Sequence, residues 1–187
     1  MRIAGGQARG RRINLGRGYR TRPTSCRIRE ALFNILPPME GMSFLDLYAG
    51  SGAIGLEALS RGAAKVVFVE KNKALADVIK TNLGRTEFEG RYEILAVEGK
   101  RGIRALGKKG MRFDFLFADP PYERGFVRET LRCIGEESLL SEDSLVIIQH
   151  SIREKIEQRQ ALQFILMDQR RYSDTILSFL KLNLKKG

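Results

Sequence analysis

Asp119-Pro120-Pro121-Tyr122 follows directly on the apolar run Phe113-Asp114-Phe115-Leu116-Phe117-Ala118, and its residue types fit one demanding reaction, methylation of an exocyclic amino nitrogen. The lone pair of such a nitrogen is delocalised into the base ring. A catalyst must therefore hold both N–H bonds and expose the lone pair to a methyl donor. A carboxylate oxygen and a backbone carbonyl can accept those two bonds. Successive prolines fix φ and donate nothing, so the carbonyl of Pro120 can point into a pocket. Tyr122 adds a ring on which a flipped base can stack. Taken alone, the triplet D-P-P reads equally well as a strand end closed by a Pro-Pro turn.

A second motif upstream favours the chemical reading. Phe44-Leu45-Asp46-Leu47-Tyr48-Ala49-Gly50-Ser51-Gly52-Ala53-Ile54-Gly55 spells a short apolar strand, a glycine loop and a helix start. Gly50, Gly52 and Gly55 match the G-x-G-x-x-G dinucleotide fingerprint. Glu70, closing Val66-Val67-Phe68-Val69, stands where a ribose-binding acid is expected. Spacing alone would suggest NAD. Asp46 argues otherwise, because a carboxylate beside the loop would repel a pyrophosphate. S-adenosylmethionine has no phosphate and carries a sulfonium and an α-ammonium, so an acid there attracts it, while Glu70 can still accept from both ribose hydroxyls.

Together these residues resemble the RsmD-type small-subunit ribosomal RNA guanine-N2 methyltransferases, over nearly the whole chain. The likeness runs through Arg2-Ile3, Gly10-Arg11-Arg12, Thr21-Arg22-Pro23-Thr24 and Arg29-Glu30-Ala31-Leu32-Phe33-Asn34. It continues through Asp46 to Gly52, Glu57-Ala58-Leu59-Ser60-Arg61-Gly62 and Asp119 to Tyr122, and ends at Arg171-Tyr172 with Asp174-Thr175. The resemblance implies methyl transfer from S-adenosylmethionine to N2 of one guanine in a small-subunit rRNA loop near the peptidyl site, on assembled subunits. Asp119, Pro120, Pro121 and Tyr122 would then be catalytic. Asp46, Ala49, Gly50, Ser51, Gly52, Glu70, Lys71, Glu98 and Asp119 would bind the cofactor. Three positions depart from the family pattern. Cys26 replaces a usual Asp, Glu98 a usual Asp that would meet the adenine amino group, and Gln149 a usual Glu before His150.

Charge agrees with an RNA partner. Of 187 residues, 33 are Lys or Arg and 22 are acids, a net charge of +11. The excess is local: Met1 to Arg29 holds nine arginines, no lysine and no acid. Arginine suits bidentate phosphate binding and stacking on unpaired bases, so Arg9, Arg11, Arg12, Arg20, Arg22 and Arg27 are the expected RNA contacts. The segment lacks the apolar core of a secretory signal, and Gly5-Gly6, Gly10, Gly16 and Gly18 disfavour an amphipathic presequence. No apolar run approaches the roughly 20 residues of a membrane span. Cys26 and Cys133 lie far apart, and with a single His150 they argue against a metal site and against a disulfide framework. The expected setting is the cytoplasm, and nothing requires more than a monomer.

Elements must carry these residues to one place. The pattern alternates short strands with helices, as in an α/β sheet with parallel crossovers. A small hairpin around Arg2 to Leu15 precedes a helix at 26–36, whose Ile28, Leu32, Ile35 and Leu36 fall on one face. Strands are expected at 44–48, 66–70, 92–97, 113–118 and 145–150, with helices at 54–61, 73–83, 101–106 and 126–134. A short helix near 152–159 and a hairpin of runs 162–170 and 175–182 about Tyr172-Ser173-Asp174 complete the chain. The expected fold is a Rossmann-like seven-stranded methyltransferase sheet, mostly parallel with a C-terminal antiparallel hairpin. Residues 1–40 form its basic RNA-contacting extension and 41–187 the S-adenosylmethionine-dependent domain. Both motifs then sit at carboxyl ends of strands and converge on one crevice. His150 is expected to be a structural hydrogen-bonding residue, and Tyr48 to pack the strand end.

Two rival functions share these features. A DNA adenine or cytosine amino-methyltransferase would use the same motifs, although 187 residues leave little room for a DNA target-recognition domain. A non-catalytic RNA-binding assembly factor could keep the fold, although it would have no need of intact Asp46, Gly50, Gly52, Glu70 and Asp119.

Overall fold

A computed structural model describes residues 1–16, 26–154, 156 and 163–183. Its elements are α1 (Cys26–Ile35), β1 (Ser43–Leu47), α2 (Ala53–Ser60), β2 (Lys65–Val69), α3 (Lys73–Leu83), β3 (Tyr92–Leu95), α4 (Gly99–Lys108), β4 (Phe113–Ala118), α5 (Phe126–Glu136), β5 (Leu140–Ser151), β6 (Phe164–Tyr172) and β7 (Thr175–Leu182). The strands form a seven-stranded sheet of order β3-β2-β1-β4-β5-β7-β6. The expected mostly parallel sheet with a C-terminal antiparallel hairpin is the fold observed.

The chain divides into two compact units, Met1–Glu98 and Gly99–Gly187. In the first, β1 pairs in parallel with β2 and β2 with β3. Phe44, Leu45, Leu47 and Val66 to Val69 are all buried, the near-continuous apolar run of parallel strands covered on both faces. α3 starts at Asn72, whose side chain accepts from the backbone N–H groups of Ala74 and Leu75, an N-cap. It buries Leu75, Ala76, Ile79, Asn82 and Leu83, a helical stripe with one polar member.

The N-terminal hairpin belongs to this unit. Arg2 and Arg12 form an antiparallel bridge, and Ile3, Ala8 and Ile13 are buried. Its anchor is Glu57 of α2, whose carboxylate accepts from the N–H groups of Ala4 and Gly5 at 2.8 Å each and from Arg29 Nε at 3.1 Å and Arg61 Nε at 2.9 Å. Ser60 Oγ accepts from Ala8 N–H at 2.9 Å. Gly6 comes so close that a Cβ there would stand 1.8 Å from the Ser60 carbonyl oxygen. In α1, Ile28, Leu32 and Phe33 are buried with Arg29, whereas Ile35, expected on the apolar face, is 40% exposed. The buried Arg29–Glu57 pair displaces the helix face from the position that apolar residues alone would set.

In the second unit β4 and β5 are parallel, and β7 pairs antiparallel with both β5 and β6. β5 is twelve residues long, starting five residues before the expected strand. Its register against β4 shifts between Phe113 and Phe115. Ser144 Oγ stitches the irregular stretch, donating to Phe113 O and accepting from Ser141 N–H, both at 2.7 Å. Polar Glu142 and Asp143 hide this extension from a hydrophobic pattern. The helix expected near 152–159 is not formed where it can be seen, since Ile152 and Arg153 make a turn and Glu154 N–H returns to Ser151 O; residues 155 and 157–162 lie outside the described residues. The β6–β7 turn is as expected, with Tyr172 paired to Thr175 and Ser173 at φ 58°.

Candidate active site

The cofactor motif lies in the first unit, at the carboxyl ends of β1 and β2. Past Leu47 the chain turns sharply, with Tyr48 at φ 61°, Gly50 at 57° and Gly52 at 78°. A left-handed tyrosine costs roughly 1–2 kcal/mol, so the turn is held by its surroundings. Tyr48 is half-buried, in keeping with packing the strand end. Gly50 N–H donates to Glu70 Oε2 and Asn72 N–H to Glu70 Oε1, each at 2.8 Å. Ala49 N–H reaches Val69 O at 3.1 Å. The Glu70 carboxylate is thus fixed by one backbone donor per oxygen, and each oxygen keeps a lone pair suited to one of two adjacent hydroxyls.

The three glycines serve different ends. A Cβ on Gly50 would meet nothing within 4 Å, so the surface over the loop is open to a ligand. A Cβ on Gly52 would press on Ile79 at 3.1 Å, and one on Gly55 would lie 2.2 Å from Phe68 Cε1. Gly55 therefore lets α2 pack on β2. Asp46 is 1% exposed, and its Oδ2 accepts from Gly55 N–H at 2.9 Å. It stands behind the loop, placing negative charge at the N-terminus of α2. Ser51 is half-buried, and Lys71 and Glu98 are exposed. Glu98 follows the turn that closes β3, where Val97 N–H returns to Leu95 O at 3.0 Å.

The amino-nitrogen motif lies in the second unit, at the carboxyl end of β4. Pro120 is buried, Pro121 is exposed, and Asp119 and Tyr122 are half-buried. Gln149 on β5 is 4% exposed, and its Nε2 donates to Tyr122 Oη at 3.1 Å. The side chains of Gln149 and Tyr122 both hydrogen-bond the Asp119 carboxyl. Desolvation by burial nonetheless pushes Asp119 up to about 7, against the lowering effect of those two hydrogen bonds. Downstream, Glu123 sits at φ 59° and its Oε1 accepts from Ser151 Oγ at 3.1 Å, tying the loop to the end of β5.

Gln149 is the residue that sequence reasoning passed over as a mere departure from the family pattern. A lone amide directly after the apolar run Leu145 to Ile148 was the available signal, because a buried polar side chain needs partners. His150, by contrast, is structural as expected. It is buried, its Nε2 lies 2.8 Å from Ser178 Oγ and its Nδ1 3.0 Å from Ser151 O. The carbonyl requires the proton on Nδ1, so Nε2 accepts from Ser178, and burial holds the imidazole pKa down.

Of the expected RNA contacts, Arg9, Arg12 and Arg27 are exposed. Arg11 is exposed too, but it bonds to the Arg85 carbonyl and pairs with Glu87 at 3.7 Å. Arg20 and Arg22 lie outside the described residues. Arg29, counted in the basic block, is turned inward as the partner of Glu57. Among the described residues no cluster of side chains could hold a metal ion, and no helix is long and apolar enough to cross a membrane.

Known proteins resemble this chain in sequence and fold. A family model described as "Conserved hypothetical protein 95" matches residues 1–181. The ribosomal RNA small subunit methyltransferase D of Escherichia coli K12 is 35% identical over 153 residues, covering 81% of this chain and 75% of that protein. The putative rRNA methyltransferase YlbH of Bacillus subtilis is 34% identical over 151 residues, covering 80% and 82%. A solved structure, that of the putative methyltransferase yhhF of Escherichia coli, superposes with a TM-score of 0.83 at 29% identity, covering 97% of both chains. The chain therefore belongs to the Conserved hypothetical protein 95 family, with the small-subunit ribosomal RNA methyltransferases D among its members.

Proposed function

We propose that this chain transfers the methyl group of S-adenosylmethionine to the exocyclic N2 of a guanine in small-subunit rRNA. The observation that carries the reading is Asp119, a carboxyl set in place by Gln149 and Tyr122 at the start of a Pro-Pro loop. In this reading it accepts one N–H of the guanine amino group while the Pro120 carbonyl accepts the other. The names of relatives 34–35% identical to this chain support rRNA as the substrate class.

The residues of the first unit fit the donor. Glu70 offers two oriented oxygens to a ribose diol, Gly50 leaves open space over the loop, and Asp46 supplies negative charge where a cationic ligand would sit. S-adenosylmethionine, when bound, supplies an electrophilic methyl on a sulfonium. The protein's task is then mainly to position the acceptor. Tyr122 gives the base a ring to stack on. As the N–C bond forms, the sulfonium S–C bond would break with its electron pair returning to sulfur; the amino nitrogen then sheds a proton, and Asp119, titrating near neutrality, is placed to take it. Residues 1–40, with Arg9, Arg12 and Arg27 exposed among those described, supply the RNA contact.

The test is transfer of labelled methyl from S-adenosylmethionine to small subunits lacking their native methylations, with nucleosides identified after digestion. Label in N2-methylguanosine is the expected outcome. Label in N6-methyladenosine or a methylcytidine overturns the substrate assignment, and no label on subunits, rRNA or DNA overturns the enzyme.

A further inference from the structure

Asn82 is a buried amide in the last turn of α3, 3% exposed, at a helix position where an apolar residue would be the simpler choice. Its hydrogen bonds reach in two directions. Toward the N-terminal hairpin, Oδ1 accepts from Asn14 N–H at 2.8 Å and Nδ2 donates to Asn14 O at 2.9 Å, so the side chain pairs with that residue as a neighbouring strand would. Toward the glycine loop, the other hydrogen of Nδ2 goes to Ser51 O at 3.1 Å. One planar amide thus joins the strand leaving the hairpin to the peptide between Gly50 and Gly52.

We infer that Asn82 is a positioning residue through which the seating of the N-terminal hairpin sets the glycine loop, so that affinity for the methyl donor depends on how the hairpin is docked. The inference rests on the proposed donor and asks how its site is controlled. The other ties on the loop are local. Gly50 N–H bonds to Glu70, Gly52 N–H to Ala49 O at 2.8 Å and Gly55 N–H to Asp46, all within the two strand ends and the start of α2. Asn82 alone, among the hydrogen bonds described, brings in the hairpin. The hairpin carries exposed Arg9 and Arg12, so an RNA that shifts it acts on the donor loop through the same amide. Such coupling is reciprocal: the donor must alter RNA affinity by the factor with which RNA alters donor affinity.

The experiment is a double-mutant cycle read by calorimetric titration of S-adenosylmethionine into the full chain without RNA. Gly6→Ala unseats the hairpin at its far end, against the Ser60 carbonyl and away from the loop. Asn82→Ala cuts the link, and Asn82→Asp, equal in shape, keeps the acceptor but loses both donated bonds. Each single substitution is expected to weaken donor binding about fivefold to tenfold, in the range of site-to-site couplings. Gly6→Ala on top of Asn82→Ala is expected to add less than twofold. A purely structural role predicts independent effects that multiply, as distant sites ordinarily do. Multiplying effects, or wild-type affinity in either Asn82 variant, would overturn the inference while leaving the donor assignment standing. Failure of the wild-type chain to bind S-adenosylmethionine would overturn the donor assignment and the inference together.

Discussion

The Asp119 carboxyl is caught between two opposing influences, burial that disfavours its charged form and hydrogen bonds from Gln149 and Tyr122 that favour it. Its pKa of about 7 against an ordinary 3.8 has consequences for stability and for rate. Between about pH 4 and 7 the folded chain holds a proton that the unfolded chain has released. Stability from this group is therefore fully present at about pH 4, falls as pH rises through that window, and is lost above pH 7. Asp119→Asn should accordingly raise the melting temperature at pH 8 and leave it nearly unchanged at pH 4, as thermal melts at both values will show. The same substitution should cut methyl transfer by about 10²–10³, the usual size of losing one oriented polar group at a reacting centre, with donor affinity little changed in titration. In the wild type kcat/KM should climb through pH 7, because only the ionised carboxyl is purely an acceptor.

At the scale of elements, α2 is the spine of the first unit. Its start is shaped by glycines with separable roles. Gly55→Ala pushes a methyl into Phe68 and should cost about 1–3 kcal/mol in urea denaturation, the usual penalty of overpacking. Gly50→Ala meets no atom; its left-handed φ costs only about 1–2 kcal/mol, and its main effect should be a loss of donor affinity, since the methyl occupies the open face of the loop. Further along α2, Glu57 gathers Arg29, Arg61 and two hairpin amides. Glu57→Leu strands the buried Arg29 guanidinium and should destabilise by about 3–5 kcal/mol, whereas Glu57→Leu with Arg29→Leu should cost clearly less. Equal destabilisation of the two variants in urea melts would contradict the pairing. The pair was not legible in the sequence, where Arg29 reads as one more member of a basic block and Glu57 carries no sign of its partner.

For the molecule as a whole the charge distribution is the dominant physical feature. Of the N-terminal arginines, Arg2, Arg9, Arg11 and Arg12 are exposed on a docked hairpin, with Glu57 and Ser60 holding its backbone. This arrangement lets Arg9 and Arg12 face outward from a fixed platform. Replacing both by Ala should weaken RNA binding and lower the slope of log affinity against log salt by about 0.7–0.9 for each phosphate that is no longer neutralised. An unchanged slope in filter-binding titrations would remove the hairpin from the RNA interface. In both units the motif residues lie at carboxyl ends of parallel strands, where open α/β sheets place ligands.

Local period and residue type were enough for much of this. The run Val66 to Val69, the glycines at 50, 52 and 55, and Asp119-Pro120-Pro121-Tyr122 specify strand, loop and chemistry by neighbours a few positions apart, and a one-dimensional pattern reports such neighbours well. The α/β class and the methyltransferase reading followed from them, and the terminal hairpin from the runs 162–170 and 175–182 about Tyr172-Ser173-Asp174. What the chain order could not disclose were contacts between distant segments: Asn82 with Asn14 and Ser51, Gln149 with Tyr122, Glu57 with Arg29. Each is a polar side chain buried in an apolar setting, where position in the sequence says nothing of its partner. A buried polar group is stable only once its hydrogen bonds are met, and tertiary packing alone decided with whom.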